Sequence, residues 1–250
     1  MVFYDSYNYQ QYWQGRDYEH ESEKIALEKL LKKIPKKNQG SILEIGAGFG
    51  RLASIYAPRF SRCLLIEPSR KLISQARVNL AKQKNITIQE GKAESLNVEK
   101  KFDVVLLVRV AHHLEDLAPI FKNINLSLKT NGYLILEFAN KINFKSRLKS
   151  WLRGNFSFSR DLKACDRRST ANINKETIPF LNHHPKKINQ DLVQAGFKAL
   201  NQLSVSNFRW PLLKKIIPTK ILLQGEKAFQ LPLAKINFGP SIFILAKKTN

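Results

Sequence analysis

Two carboxylates and a run of alternate glycines are the residues whose types and spacing point first to chemistry. Glu44 precedes Gly46, Gly48 and Gly50 in the stretch Ser41 to Ala53, SILEIGAGFGRLA. Glycine is required where a ligand must approach the backbone closely or where the turn uses φ > 0. An apolar strand opening through such a turn into a helix from Arg51 presents backbone N–H groups and a positive helix end to a ligand. A dinucleotide fingerprint, G-x-G-x-x-G, would need its third glycine where Arg51 stands. The second carboxylate, Glu67, lies about 20 residues past the first glycine at the tip of the second predicted strand, an offset that favours a functional acid over a plain surface one at a strand end. His112 and His113 are the candidate general bases, because imidazole exchanges a proton near neutral pH. The plain alternative is that one packs under a sheet and the other caps a helix. His183 and His184 form a second pair with no partner motif. Neither pair has an acid at metal-ligand spacing, so no metal site is expected. Cys63 and Cys165 form no C-x-x-C, and neither a disulfide nor structural zinc is expected.

The elements that must position these groups read as alternating strands and helices. Apolar runs predict strands at Ile42–Ile45, Arg62–Ile66, Ile86–Ile88, Phe102–Val108 and Tyr133–Phe138. Helical spacing predicts helices over about 21–34, 70–82 and 117–128, with Ser69 as the cap of the second. Such alternation gives a doubly wound parallel sheet, in which ligands bind at the carboxyl ends of the strands. Two further strands are predicted at about 197–205 and 241–247, with a helix from Pro185 to about Ala195 closed by Gly196. Residues 207–239 read as an insertion with one or two short helices. Phe144, Leu148, Trp151 and Leu152 fall near helical spacing in a stretch with nine Lys/Arg and two Asp, Lys141 to Arg168. That helix either caps the domain with its apolar face or lies on a membrane or nucleic acid surface. The N-terminal aromatics Phe3, Tyr4, Tyr7, Tyr9, Tyr12, Trp13 and Tyr18 either staple the terminus to the core or form a lid, with Tyr12, Trp13, Arg16 and Tyr18 as its candidate residues.

The 250 residues carry 42 Lys+Arg against 20 Asp+Glu, a net charge of +22. Such a field attracts nucleic acid or anionic membrane, unless it is a lysine-rich solvated shell of no functional meaning. No apolar run reaches the ~18 residues of a membrane span. The start of the chain lacks the pattern of a signal peptide. The expected location is cytoplasmic, with peripheral attachment to a membrane as a variant.

From about Gln39 to Asn140 the chain resembles the class I S-adenosylmethionine (SAM)-dependent methyltransferases of the small-molecule, type 11 kind. The resemblance rests on Glu44-Ile45-Gly46-Ala47-Gly48-Phe49-Gly50, Glu67, Gly91-Lys92-Ala93-Glu94, VRVAHHLED and SLKTNGYLILEFAN. More loosely, the aromatic start Tyr12-Trp13-Gln14-Gly15-Arg16-Asp17-Tyr18 and the run Leu136 to Lys141 are similar to uncharacterised bacterial methyltransferases. It implies an α/β fold: a doubly wound, mostly parallel, seven-stranded Rossmann-like sheet whose last strand is antiparallel. It implies one domain over 1–250: an aromatic segment and helix (1–38), a SAM-binding core (39–140), and basic insertions at 141–184 and 207–239 that shape the acceptor site. It also implies that Gly46, Ala47 and Gly48 lie against the methionine part of SAM and that Glu44 holds its ammonium. Glu67, followed by Pro68, would take the ribose hydroxyls, and Ala93 would meet adenine. Val108 and Arg109 would close the site. The family usually places an acid where this chain has Lys92, leaving Glu94 or a carbonyl to bind the adenine amine. The family's Asn/Asp-Pro-Pro-Tyr/Phe signature for amino methylation is replaced here by Arg109-Val110-Ala111-His112, and neither cysteine is placed for cytosine-C5 chemistry. The expected acceptor is therefore small or lipid-like. RNA methylation and a non-catalytic SAM-binding module are the alternatives.

Overall fold

The computed structural model describes residues 9–96, 101–174 and 177–249; Phe3, Tyr4 and Tyr7 of the aromatic segment lie outside them. Seven strands form one sheet in the order β3-β2-β1-β4-β5-β9-β8. They are β1 (Ser41–Ile45), β2 (Arg62–Glu67), β3 (Ile86–Glu90), β4 (Phe102–Leu107), β5 (Leu128–Ala139), β8 (Phe197–Val205) and β9 (Ser241–Lys248). A separate two-stranded ladder pairs β6 (Cys165–Asp166) with β7 (Leu181–Asn182). Within the seven-stranded sheet β9 runs antiparallel to both β5 and β8, and the other pairings are parallel.

The central strands are apolar on both faces because helices cover both. All of β1 and β4 is buried. Ile42, Val104 and Leu106 face a core that includes Leu27, Leu30 and Tyr56. Leu43, Val105 and Leu107 face the opposite core, with Phe121, Ile124 and Leu192. The chain leaves β1 toward β2 and β3, then returns to place β4 on the other side of β1. This reversal opens a crevice beyond the carboxyl ends of β1 and β4, where an open α/β sheet binds its ligand. The pairing of Ile45 with both Ile66 and Leu107 brings the residues after all three strands to one level.

Three expectations need correction. The helix expected from Arg51 is a single turn, Ala53–Tyr56, after a non-helical turn. The 207–239 insertion contains one short helix, Pro211–Ile216, and one of 16 residues, Thr219–Ala234. The Phe144–Leu152 helix has no buried residue. Only Phe144 packs by ring contact, against Phe238 (5.1 Å) and Trp210 (6.5 Å), while Trp151 and Leu152 are 61% and 69% exposed. It does not cap the core with a continuous apolar face.

The insertions are fastened by buried polar groups. The Glu226 carboxylate accepts from the Tyr18 hydroxyl (2.7 Å) and from the backbone N–H groups of Ser206 (2.8 Å) and Asn207 (3.0 Å). Burial raises the pKa of Glu226, and these donors oppose the rise. Tyr18, grouped in the sequence with the lid residues, is thus a buried tie between the Asp17–Leu31 helix and the insertion. Tyr18→Phe should destabilise the fold by about 1–3 kcal/mol, the range for removing one partner of a buried polar group, as read by urea unfolding. An unchanged midpoint would show that the tie is not needed. The buried Lys141 ammonium donates to the Asp161 carboxylate (2.8 Å) and to the carbonyls of Asp161 and Lys163 (both 2.7 Å), anchoring the loop after the Phe144–Leu152 helix. Asn140 donates to the carbonyls of Asn237 and Gly239 (both 2.8 Å).

Candidate active site

Gly46, Gly48 and Gly50 have φ of +72°, +58° and +78°, the left-handed region that L side chains avoid. A Cβ on Gly46 would stand 2.2 Å from Cγ2 of Val110, and one on Gly48 would stand 3.3 Å from the Tyr9 ring. Four of the turn's N–H groups are engaged within the protein. Gly46 and Ala47 donate to the Ile66 carbonyl (2.7 and 3.2 Å), Gly50 to Ala47 (3.0 Å), and Gly48 to Oε2 of Glu67 (2.9 Å). The expectation of bare N–H groups at a helix end is corrected: the turn allows close approach but offers few donors. Pyrophosphate, an acceptor-only ligand, is poorly matched to it.

What faces this turn is acceptor chemistry. Glu67 is buried, and its Oε1 accepts from the Ser69 N–H (3.0 Å). A carboxylate has about four lone-pair sites, so two backbone donors do not by themselves saturate it. Glu44 is buried and accepts from the Tyr56 hydroxyl (2.5 Å). Desolvation pushes its pKa up to about 7, against the opposing Tyr56 hydrogen bond. Two buried carboxylates beside a glycine turn suit a ligand bearing a cation and hydroxyl donors. Ala93 is buried, with Lys92 and Glu94 exposed on either side. Pro68 is half-buried. The Gly91 N–H donates to the Glu67 carbonyl (3.2 Å), which holds this segment beside the tip of β2.

After β4, Val108 is buried and Arg109 adopts φ +63°. A left-handed non-glycine residue costs about 1–2 kcal/mol. Here its N–H donates to Oε2 of the buried Glu137 (2.8 Å), whose Oε1 accepts from Ser241 (2.6 Å). The Arg109 guanidinium donates to the Tyr12 hydroxyl (2.8 Å) and lies 4.0 Å from Glu23. Burial opposes its charge, but Glu23 and neighbouring acidic groups outweigh it and raise its pKa. Trp13 lies under the Arg51 guanidinium (3.7 Å to the ring centre). Tyr9 stacks on Tyr12 (5.9 Å) and meets Trp13 edge-on (6.4 Å). The aromatic segment therefore covers the glycine turn through Tyr9, a residue outside the predicted lid set. Its proximity depends on a contact with Gly48 that local spacing does not reveal.

Beside the turn opens a cavity of about 890 Å³. Tyr12, Trp13, Arg16, Arg109 and Glu137 form one part of its wall, to which residues 143–158, 206–211 and 238–241 and the side chains of Glu19, Glu23, Arg167 and Phe180 also contribute. The histidines lie behind this wall. His112 is buried, and its pKa is lowered well below the usual imidazole value by burial and then by the charges of His113, Arg109 and His183. His113 Nδ1 is 2.8 Å from the Pro179 carbonyl, so that nitrogen carries the hydrogen. Burial lowers its pKa as well. The two rings are 4.0 Å apart, and Phe180, which lines the cavity, lies 4.7 Å from His112. His183 donates from Nε2 to the Ala111 carbonyl (2.9 Å), and His184 Nε2 meets the Ser159 carbonyl (3.0 Å), so both brace loops. Among the described residues no cluster of His, Cys, Asp and Glu has a metal-holding arrangement.

Residues 43–136 match the family model described as a methyltransferase domain, Methyltransf_11. The uncharacterized methyltransferase YcgJ of Bacillus subtilis is 27% identical over 139 residues, 49% of this chain and 54% of that protein. An uncharacterized methyltransferase of Bacillus mycoides is 30% identical over 111 residues, 44% of this chain and 51% of its own length. The chain thus spans about half the length of the curated relatives it matches. The fold is shared more widely. A SAM-dependent methyltransferase of Mesorhizobium loti superposes with a TM-score of 0.59 at 15% identity, covering 88% of this chain and 95% of that one. The YcgJ structure gives 0.58 at 16% identity, covering 91% and 99%. Residues 43–136 are thus similar to methyltransferase domains, and the chain shares the fold of solved SAM-dependent methyltransferases.

Proposed function

We propose that the whole chain transfers the methyl group of SAM to a small or amphiphilic acceptor seated in the cavity. The observation that carries this reading is the opening of that cavity beside the turn that would hold the cofactor, with Arg109, Tyr12 and Trp13 between them. The residues fit SAM: Glu44 would hold its ammonium and Glu67 its ribose hydroxyls. When bound, SAM supplies an electrophilic sulfonium methyl. The protein's part is to hold the acceptor atom in line with it and to exclude water. The aromatic segment over the turn supplies the exclusion. The cavity's aromatic side chains, Phe144, Phe158, Trp210 and Phe238 among them, suit an acceptor with an apolar portion.

Calorimetry with SAM tests the reading through Glu44. Its protonated form prevails below about pH 7, and binding an ammonium requires the carboxylate. SAM affinity should therefore rise with pH up to about 7, by at most tenfold per pH unit as one proton is expelled. It should fall again above about pH 8, where an α-amino group loses its charge. Glu44→Gln should abolish the rising limb. Wild-type affinity that stays flat across that limb would remove Glu44 from the site.

His112 and His113, the candidate bases, lie behind the cavity wall and do not line it, so neither reaches an acceptor seated there. His112→Ala and His113→Ala should fall short of the about 10²–10⁴-fold loss of turnover that removal of a general base causes. A loss in that range would restore the role.

A further inference from the structure

The chain has 13 arginines among its 42 basic residues, and five of them line one cavity: Arg16, Arg109, Arg153, Arg167 and Arg209. Only two of its 29 lysines, Lys145 and Lys149, join them there. A lysine-rich solvated shell would give the opposite ratio, so the cavity's charge is not a sample of the whole surface.

The acids in the wall are already occupied. Glu19 pairs with Lys214 (3.1 Å), Glu23 with Arg51 (2.5 Å) and Arg109, and Glu137 with the Arg109 N–H and Ser241. Among the described residues, the side chains of Lys145, Lys149, Arg153, Arg167 and Arg209 have no acidic partner. Arg16 lies over the Tyr12 ring at 4.0 Å. The crowding is felt at Arg209, whose pKa is lowered by desolvation and then by the charges of Arg109 and Arg16, against the pull of Glu19 and Tyr12. A single carboxylate would match one of these cations and leave the rest opposed. Guanidinium forks match phosphate oxygens in pairs, and one phosphate monoester brings about −1.5 to −2 charges. The same wall carries Phe144, Phe158, Trp210 and Phe238, which suit an apolar portion of the same molecule.

We infer that the methyl acceptor of this cavity is a phosphate-bearing amphiphile, its phosphate held by Arg153, Arg167 and Arg209 and its apolar part by the aromatic wall. The inference rests on the methyltransferase reading above and names its substrate class.

The test is calorimetry of the full chain with inorganic pyrophosphate, at low and at raised salt, with SAM binding measured in parallel. The variant Arg153→Gln/Arg167→Gln/Arg209→Gln is compared with a charge-matched control on exposed positions outside the cavity, Lys82→Gln/Lys84→Gln/Lys198→Gln. Pyrophosphate binding should weaken at least tenfold in the first and less than twofold in the second, with SAM affinity retained in both. The single change Arg209→Gln should show the same sense at smaller amplitude and guards against a misfolded triple variant. Absence of pyrophosphate binding, or equal weakening by the control triple, overturns the inference. Pyrophosphate binding without any SAM binding would instead overturn the methyltransferase reading while leaving an anion site. Sedimentation with phosphatidylcholine vesicles containing phosphatidic acid separates the sources of the phosphate. Cosedimentation that depends on the three arginines supports a lipid headgroup, and pyrophosphate binding without cosedimentation supports a soluble phosphorylated acceptor.

Discussion

Glu67→Ala should weaken SAM binding by more than about 100-fold. Hydrogen bonds to a charged group contribute about 1.5–3 kcal/mol each, and the alanine removes the acceptor assigned to both ribose hydroxyls. The substitution also acts on the protein itself. The Gly48 and Ser69 N–H groups, at 2.9 and 3.0 Å from the carboxylate, lose their partner. Leaving such donors unsatisfied costs about 1–3 kcal/mol apiece, so urea unfolding should show a loss of about 2–6 kcal/mol. Glu67→Gln separates the two effects, since the amide keeps one acceptor oxygen but not the charge. Its stability should lie between those of wild type and alanine. Unchanged SAM affinity in Glu67→Ala would remove the ribose assignment.

The second large effect is expected at Gly46. Valine there brings Cβ to 2.2 Å from Cγ2 of Val110 and places a β-branched residue at φ +72°. Left-handed backbone costs an L residue about 1–2 kcal/mol, and overpacking adds about 1–3 kcal/mol. Gly46→Val should therefore lose about 2–5 kcal/mol of stability and all measurable SAM binding. The Val110 contact is a side-chain clash, so Gly46→Val/Val110→Ala should recover part of the stability. A Gly46→Val variant that binds SAM normally would mean that the turn does not touch the cofactor.

Much of this architecture is legible in the sequence because it is local. The runs Ile42–Ile45 and Phe102–Val108 are apolar at every position, as strands covered on both faces must be, and their alternation with helices leads to the parallel sheet. The order of Glu44, the three glycines and Glu67 survives in the structure as a turn flanked by two buried carboxylates. What the sequence hides depends on partners far along the chain. The N–H groups of the turn look available until β2 brings the Ile66 carbonyl and Glu67 against them. Tyr9 looks like one aromatic among seven, and only its contact with Gly48 distinguishes it. Asn140 and Lys141 stand out as a run after β5, but their role lies in partners at Asp161 and at Asn237 to Gly239.

Two misreadings have physical causes. The proline content of 207–239 suggests only short helices, yet Pro232 falls in the last turn of the Thr219–Ala234 helix, where it forfeits its own i→i−4 bond but leaves the turns before it intact. The Phe144–Leu152 pattern suggests a covered apolar stripe, and periodicity cannot report that only Phe238 and Trp210 lie close enough to cover its first residue. Arginine enrichment in the cavity was equally hidden. Its five arginines are scattered from position 16 to position 209 and meet only in the fold.

The most direct measurement of the central claim is transfer of a labelled methyl group from SAM into a cell extract, resolved into RNA, protein, lipid and small-metabolite fractions. The account predicts label in the lipid or small-metabolite fraction, lost with Glu67→Ala. Label confined to RNA or protein, or SAM binding with no transfer into any fraction, would contradict it.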